Sequence, residues 1–186
     1  MLKRKVLVNG ISNLSDARYC AGMFVDYISF ELNSSHPDFI PVDKIVEIKN
    51  WLSGLKIGGR ITNWPEYINE ENWKELQFDF LIINNAELKD KALEKVSELF
   101  YQGSESLTID LKPFDHVLVD DQFINLDLIV HNSIFVGPNV TIETLESVVN
   151  RKNVVGIALK GNHEIRPGES SYDDLMDVLE ALEMEE

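Results

Sequence analysis

Short apolar runs recur along this chain and alternate with stretches whose apolar residues are spaced as on a helix, and no other feature constrains the fold as much. Val6, Leu7 and Val8 open the series. Comparable runs follow at 27–32 (YISFEL), 56–61 (KIGGRI), 80–85 (FLIINN), 106–111 (SLTIDL), 116–120 (HVLVD), 134–137 (IFVG) and 154–160 (VVGIALK). Runs with so little polar alternation belong in strands covered on both faces, as in a parallel sheet. Between them, helices are predicted from Asn13 and over 41–52, 64–76, 89–100, 123–129, 141–150 and 170–183. Asn13 is a natural N-cap with Asp16 three residues on, and Pro41 and Pro65 suit first helical turns. In 89–100, Leu93, Val96, Leu99 and Phe100 fall on one helical face.

Eight strands alternating with helices predict an α/β fold, a (β/α)8 TIM barrel in which 1–186 form a single domain. A doubly wound open sheet ranks second, because no G-x-G-x-x-G loop is present. Only residues 112–115 separate the predicted fifth and sixth strands. A parallel crossover with its helix needs at least about 10 residues, so helix 5 is expected to be missing. That omission accounts for a length of 186 residues, a little under the usual minimum of roughly 200 for this fold.

A formal net charge of −15 opposes contact with phosphodiester backbones, so nucleic acid is not an expected partner. Cys20 is the single cysteine, which rules out an internal disulfide and a thiolate metal site, suits a reducing cytoplasm, and reads as a small apolar residue beneath the first helix. The apolar run in MLKRKVLVNG is too short for a signal peptide or membrane span, so the expected setting is cytoplasmic and no membrane partner is called for. Asn13, Asn33 and Asn139 begin N-x-S/T triplets that count as chance matches without export. His36, His116 and His131 are too dispersed for a metal motif. A divalent cation held by Glu31, Asp110 and Asp120 ranks below no metal at all.

Chemistry in such barrels sits at the carboxyl ends of the strands, and Asn9 ends the first of them. Residues 6–17, VLVNGISNLSDA, resemble the opening of phosphoribosylanthranilate isomerase, where a strand ending K-I-C-G-I-T leads into N-L-x-D-A. HVLVD resembles the family's sixth strand, whose terminal aspartate is a general acid, and EIRPG at 164–168 is similar to the E-x-x-P-G segment after its eighth strand. The resemblance implies an Amadori rearrangement in tryptophan biosynthesis, in which one group protonates the ring oxygen and another removes the C2 proton. The acid's role carries to Asp120.

The departures fall on the remaining functional positions. The family's catalytic cysteine becomes Asn9, and a carboxamide has no useful basicity. The arginine after strand two falls near Asp38, which reverses the local charge. A glycine of the phosphate turn becomes Pro138, which has no N–H to offer. Two serines after strand eight become Lys160 and Gly161.

The resulting expectation is a diverged barrel that has lost the parent reaction and holds a small-molecule ligand. Gly137, Lys160, Gly161 and Asn162 would form the phosphate-binding set if that ligand is phosphorylated, Lys160 acting as a point charge. One alternative is an active isomerase with Asp120 as acid and Glu31 as substitute base. Another is a non-catalytic interaction protein. No cofactor and no metal is called for, and oligomeric state stays open. Strand alternation leaves open whether Glu31 and Asp110 face inward. Asp121 beside Asp120, and His163, are lesser candidates. Trp51, Trp64 and Trp73 are expected to pack in the outer layer.

Overall fold

Eight parallel strands close into a barrel in the computed structural model, each paired with the next in sequence and β8 paired back to β1. Residues 2–103, 110–120, 133–161, 164–166, 169–170 and 173–183 are described. The order is β1 (Lys5–Asn9), α1 (Leu14–Gly22), β2 (Tyr27–Glu31), α2 (Val42–Lys49), β3 (Lys56–Ile61), α3 (Glu70–Leu76), β4 (Phe80–Ile83), α4 (Lys89–Leu93), β5 (Glu98–Gln102), β6 (His116–Val119), β7 (Ser133–Val136), α5 (Ile142–Val149), β8 (Val154–Lys160), a small antiparallel pair β9 (Glu164–Arg166) and β10 (Glu169–Ser170), and α6 (Asp173–Ala181). This is the shortened (β/α)8 architecture that the alternation predicts. No helix among the described residues is long and apolar enough to cross a membrane.

Local chemistry explains the first unit. The Asn13 side chain accepts from the Asp16 N–H at 2.9 Å and starts α1. Gly10, at φ 74°, makes the turn that joins strand to helix. Cys20 is fully buried beneath α1, as expected, and burial with nearby Asp16 pushes its thiol up to about 12.

The fifth strand lies earlier than the sequence pattern suggests. The predicted helix over 89–100 ends at Leu93, and Glu98–Gln102 is β5, paired with β4 on one side and β6 on the other. Leu99, Phe100 and Tyr101 are consecutive buried residues, with Phe100 among the barrel-interior side chains and its two neighbours among those packed under the helices. A helix would leave one of three such neighbours outside its buried stripe. Residues 110 and 111 of the predicted strand 106–111 are not in a strand, and 106–109 lie outside the described residues. Among the described residues between β5 and β6 there is no helix; Phe114, packed on Tyr101 at 5.0 Å, covers the barrel there. The predicted helix over 123–129 lies outside the described residues.

Inward side chains fill the barrel with rings. Tyr27, Phe80, Phe100 and Phe135 pack at centroid distances of 5.1–5.8 Å, mostly edge to face. Two inward glycines make the room. A Cβ at Gly58 would lie 2.7 Å from the Phe80 ring, and one at Gly156 would lie 2.4 Å from that of Phe135. Outside, Trp64 stacks on Trp73 at 5.4 Å as outer-layer packing, whereas Trp51 is exposed.

The amino-terminal end of the barrel is closed by a charged knot. Glu98 accepts from the Tyr27 hydroxyl at 3.0 Å, meets His116 Nε2 at 2.7 Å, and pairs with Lys56. Burial raises the Glu98 carboxyl, but these three donors together outweigh it and hold the group below its ordinary value. Burial, aided by Lys5, pushes His116 below the ordinary imidazole value of 6.5 against the opposing pull of Glu98 and Asp115. A neutral ring fits the geometry, since Nε2–H donates to the carboxylate and the buried Nδ1 has no hydrogen-bond partner among the described residues.

A depressed imidazole links stability to pH with a definite sign. Below the unfolded value the unfolded chain takes up a proton that the folded chain resists, so melting temperature should fall as pH drops from about 7 to about 5. His116→Phe should flatten that slope. Thermal melts of both proteins across the range check this, and equal slopes would refute it.

Candidate functional site in the barrel mouth

The carboxyl ends of the strands present a ring of polar side chains. Strand alternation carries the inward face from the apolar interior to Asn9 on β1, Glu31 on β2, Arg60 on β3, Gln102 on β5 and Lys160 on β8, with Asn84, Asp120 and Gly137 one residue beyond β4, β6 and β7. The question of Glu31's direction is thereby answered: it faces the mouth. Asp110 does not end a strand; it is exposed, and its side chain accepts from the Lys112 N–H at 3.1 Å.

An ion pair between a buried carboxylate and a partly exposed guanidinium organises the ring. Glu31 and Arg60 are register partners on adjacent strands. Arg60 Nη1 donates to Glu31 Oε2 at 2.9 Å, its Nε donates to Gln102 Oε1 at 2.9 Å, and Glu31 Oε1 accepts from the Asn33 N–H at 2.9 Å. Glu31 is 2% exposed and both of its oxygens are engaged.

Asn9 sits beside Ser29, its register partner, and its Oδ1 accepts from the Ser29 hydroxyl at 2.8 Å. On the other side the Asn9 carbonyl accepts from the Gly161 N–H at 2.6 Å, so that amide is already engaged. Asp38 packs over Gly10 and lies 3.9 Å from Lys160 Nζ. Its own N–H donates to His36 Nδ1 at 3.1 Å. The same nitrogen lies 3.8 Å from the Asp38 carboxylate. The carboxylate expected from sequence alone does stand in the mouth.

Among the described residues, two cavities are found in the mouth. One, about 400 Å3, is lined by Arg60, Asn84, Tyr101, Gln102, Gly103, Leu118, Asp120, Gly137 and Pro138. The other, about 170 Å3, is lined by Asn9, Glu31, His36, Asp38 and Lys160 together with Arg60, Gln102 and Pro138. Asn9 lines the smaller and Asp120 the larger; the residues common to both are Arg60, Gln102 and Pro138.

Of the proposed phosphate set, Gly137 is buried at the seventh turn, where a Cβ would lie 1.9 Å from the Ala158 carbonyl oxygen. The following Pro138 offers no N–H. A third cavity, about 580 Å3, runs from Pro138 past Lys160 and Gly161 to α5 and α6, with Glu143 and Asp177 on its wall. At the start of α5 the Thr141 N–H donates to Thr144 Oγ1 at 3.0 Å and the Thr141 hydroxyl donates to the Glu143 carboxylate at 2.6 Å. Asn162, Asp121 and His163 lie outside the described residues. No group of three or more His, Cys, Asp or Glu among the described residues is placed to hold a metal.

Sequence reading missed Arg60, Gln102 and Asn84. Arg60 had a signal, a cation two residues after Gly58 near the end of a buried strand. Gln102 had none once its strand was read as a helix.

No protein-family model matches the sequence, and no curated protein matches it. Solved structures do match. Phosphoribosylanthranilate isomerase from Thermotoga maritima, as mutually generated monomers, superposes with a TM-score of 0.75 at 19% identity, over 95% of this chain and 97% of that one. The isomerase in complex with reduced 1-(o-carboxyphenylamino)-1-deoxyribulose 5-phosphate gives 0.77 at 18%, over 95% and 97%. The Thermus thermophilus enzyme gives 0.76 at 16%, over 96% and 98%. At these identities the likeness is one of fold: the chain is a closed (β/α)8 barrel that superposes on phosphoribosylanthranilate isomerases.

Proposed function

We propose, taking a barrel of that type as the starting point, that this chain no longer carries out the Amadori rearrangement and uses its mouth to hold a small polar ligand. One observation carries the reading. At the strand-one end, where the resemblance implies a thiol base, stands an amide whose oxygen already accepts from Ser29 Oγ. An amide cannot take the C2 proton near neutral pH. Asp120 retains the position implied for the acid but faces a different cavity from Asn9. Glu31, the substitute base of the alternative reading, is tied to Arg60 and to the Asn33 N–H. Among the described residues, a cavity of about 400 Å3 over Leu118 supports a ligand-holding mouth, and Phe135 lies below it in the interior, while Phe123 lies outside the described residues.

The expected result is no turnover of phosphoribosylanthranilate by the purified protein above the uncatalysed rate, followed chromatographically. Turnover that Asp120→Asn abolishes would overturn the proposal and establish the active-isomerase alternative. If turnover instead survived Asp120→Asn but vanished in Glu31→Gln, a base would be working from β2.

A further inference from the structure

The smaller mouth cavity is lined by side chains whose acceptor atoms are engaged with neighbours and whose donors are not. We propose that it binds a compact monocarboxylate, held by Arg60 Nη2 and the Gln102 amide NH2. The inference rests on the reading that the mouth holds a ligand, and names the chemical class of that ligand.

Gln102 is oriented by its neighbour. A guanidinium has donors only, so the Gln102 atom that meets Arg60 Nε at 2.9 Å is the amide oxygen, and the NH2 is left to donate elsewhere. Arg60 engages Nε with Gln102 and Nη1 with Glu31, which fixes the guanidinium at two points, and among the described residues its Nη2 bonds nothing. Because the two side chains are joined directly, their remaining donors stand side by side, and both residues line the cavity. Asn9 repeats the pattern on β1: its oxygen accepts from Ser29 Oγ at 2.8 Å, leaving the NH2 as the donating end.

The carboxylates on the same wall are engaged. Glu31 accepts from Arg60 with one oxygen and from the Asn33 N–H with the other, and Asp38 is buried and partnered. A ligand entering here therefore has to accept hydrogen bonds. A carboxylate does so with two coplanar oxygens and a shared charge, the shape that guanidinium and amide NH2 groups match. Charge limits the choice further. Arg60 and Lys160 are balanced by Glu31 and Asp38, so a phosphate dianion would bring two charges against those carboxylates and the field of a chain with net charge −15, where a monocarboxylate brings one. Lys160 can answer that one charge: it is half-exposed, and its Nζ lies 3.9 Å from Asp38, beyond hydrogen-bond range. A volume of about 170 Å3 is well below the roughly 300–1,000 Å3 of sites for drug-sized ligands, which restricts the occupant to a few heavy atoms.

Ligand-observed NMR titration of the whole chain tests the proposal. The probes are acetate, glycolate and pyruvate, the neutral amides acetamide and glycolamide, ribose, inorganic phosphate and ribose 5-phosphate. At least one of the three carboxylates should bind, and the neutral amides should bind about tenfold more weakly or worse. Gln102→Glu keeps an oxygen on Arg60 Nε but puts an anion where the NH2 donates, so it should weaken the carboxylate about tenfold or more. Gln102→Leu removes the same donor without adding charge and should act in the same direction; it decides the matter if the glutamate variant does not fold, which a thermal melt reads. Carboxylate binding that loss of the Gln102 donor leaves unchanged, or a neutral amide that binds as tightly as its carboxylate, overturns the proposal. Binding confined to ribose, phosphate or ribose 5-phosphate overturns it while leaving the ligand-holding reading intact. If none of the probes binds, both fall.

Discussion

Replacing Arg60 by Met will destabilise the barrel by about 3 to 5 kcal/mol, the cost typical of leaving one member of a buried ion pair alone. Glu31 is 2% exposed, and without the guanidinium its hydrogen-bond partner among the described residues would be the Asn33 N–H. In a chain of 186 residues this corresponds to a fall in melting temperature on the order of 10 °C. Arg60→Met combined with Glu31→Leu should recover most of the loss, because the desolvated charge disappears with its partner. Urea denaturation of both variants separates the cases. A loss near 1 kcal/mol or below for Arg60→Met would mean that water screens the pair, as it does on surfaces, and the mouth would not be preorganised as described.

Phe100→Ala is expected to cost about 3 to 5 kcal/mol as well, through a different mechanism. Phe100 is fully buried at the centre of the barrel, with Phe80, Phe135 and Tyr27 within 5.1–5.4 Å and the His116 ring at 4.3 Å. These four rings would lose the contacts of their common neighbour, and the strands hold them apart so that they cannot close on the space. Equilibrium denaturation reads the loss directly. A cost near 1 kcal/mol would mean that Phe100 is not at the packed centre of the barrel, and would undo the assignment of β5.

That segment shows why part of the fold was hidden in the sequence. Leu93, Val96, Leu99 and Phe100 satisfy a helical stripe, and pattern alone cannot separate that from a short helix followed by a doubly covered strand. What decides is pairing with β4 and β6, which is non-local. The eightfold alternation was legible because seven of the strands are apolar runs bounded by turns, and the first turn because Gly10 and Asn13 each have a local reason to be there. Most of the mouth was not legible. Asn9 and Asp120 stand out through resemblance at strand ends, whereas Arg60 gains its meaning from Glu31 on the neighbouring strand and Gln102 two strands away. Interactions that cross strands have no spacing signature along the chain.

The deep placement of Cys20 carries an experimental consequence. With its thiol raised to about 12 and no exposure, the native cysteine should ignore alkylating reagents in the folded state. A thiol introduced as Asn9→Cys would then be the one chemically addressable thiol, with the native cysteine left in place. Its alkylation rate against pH would report the proton affinity of the strand-one position, and protection by a bound molecule would serve as an occupancy gauge.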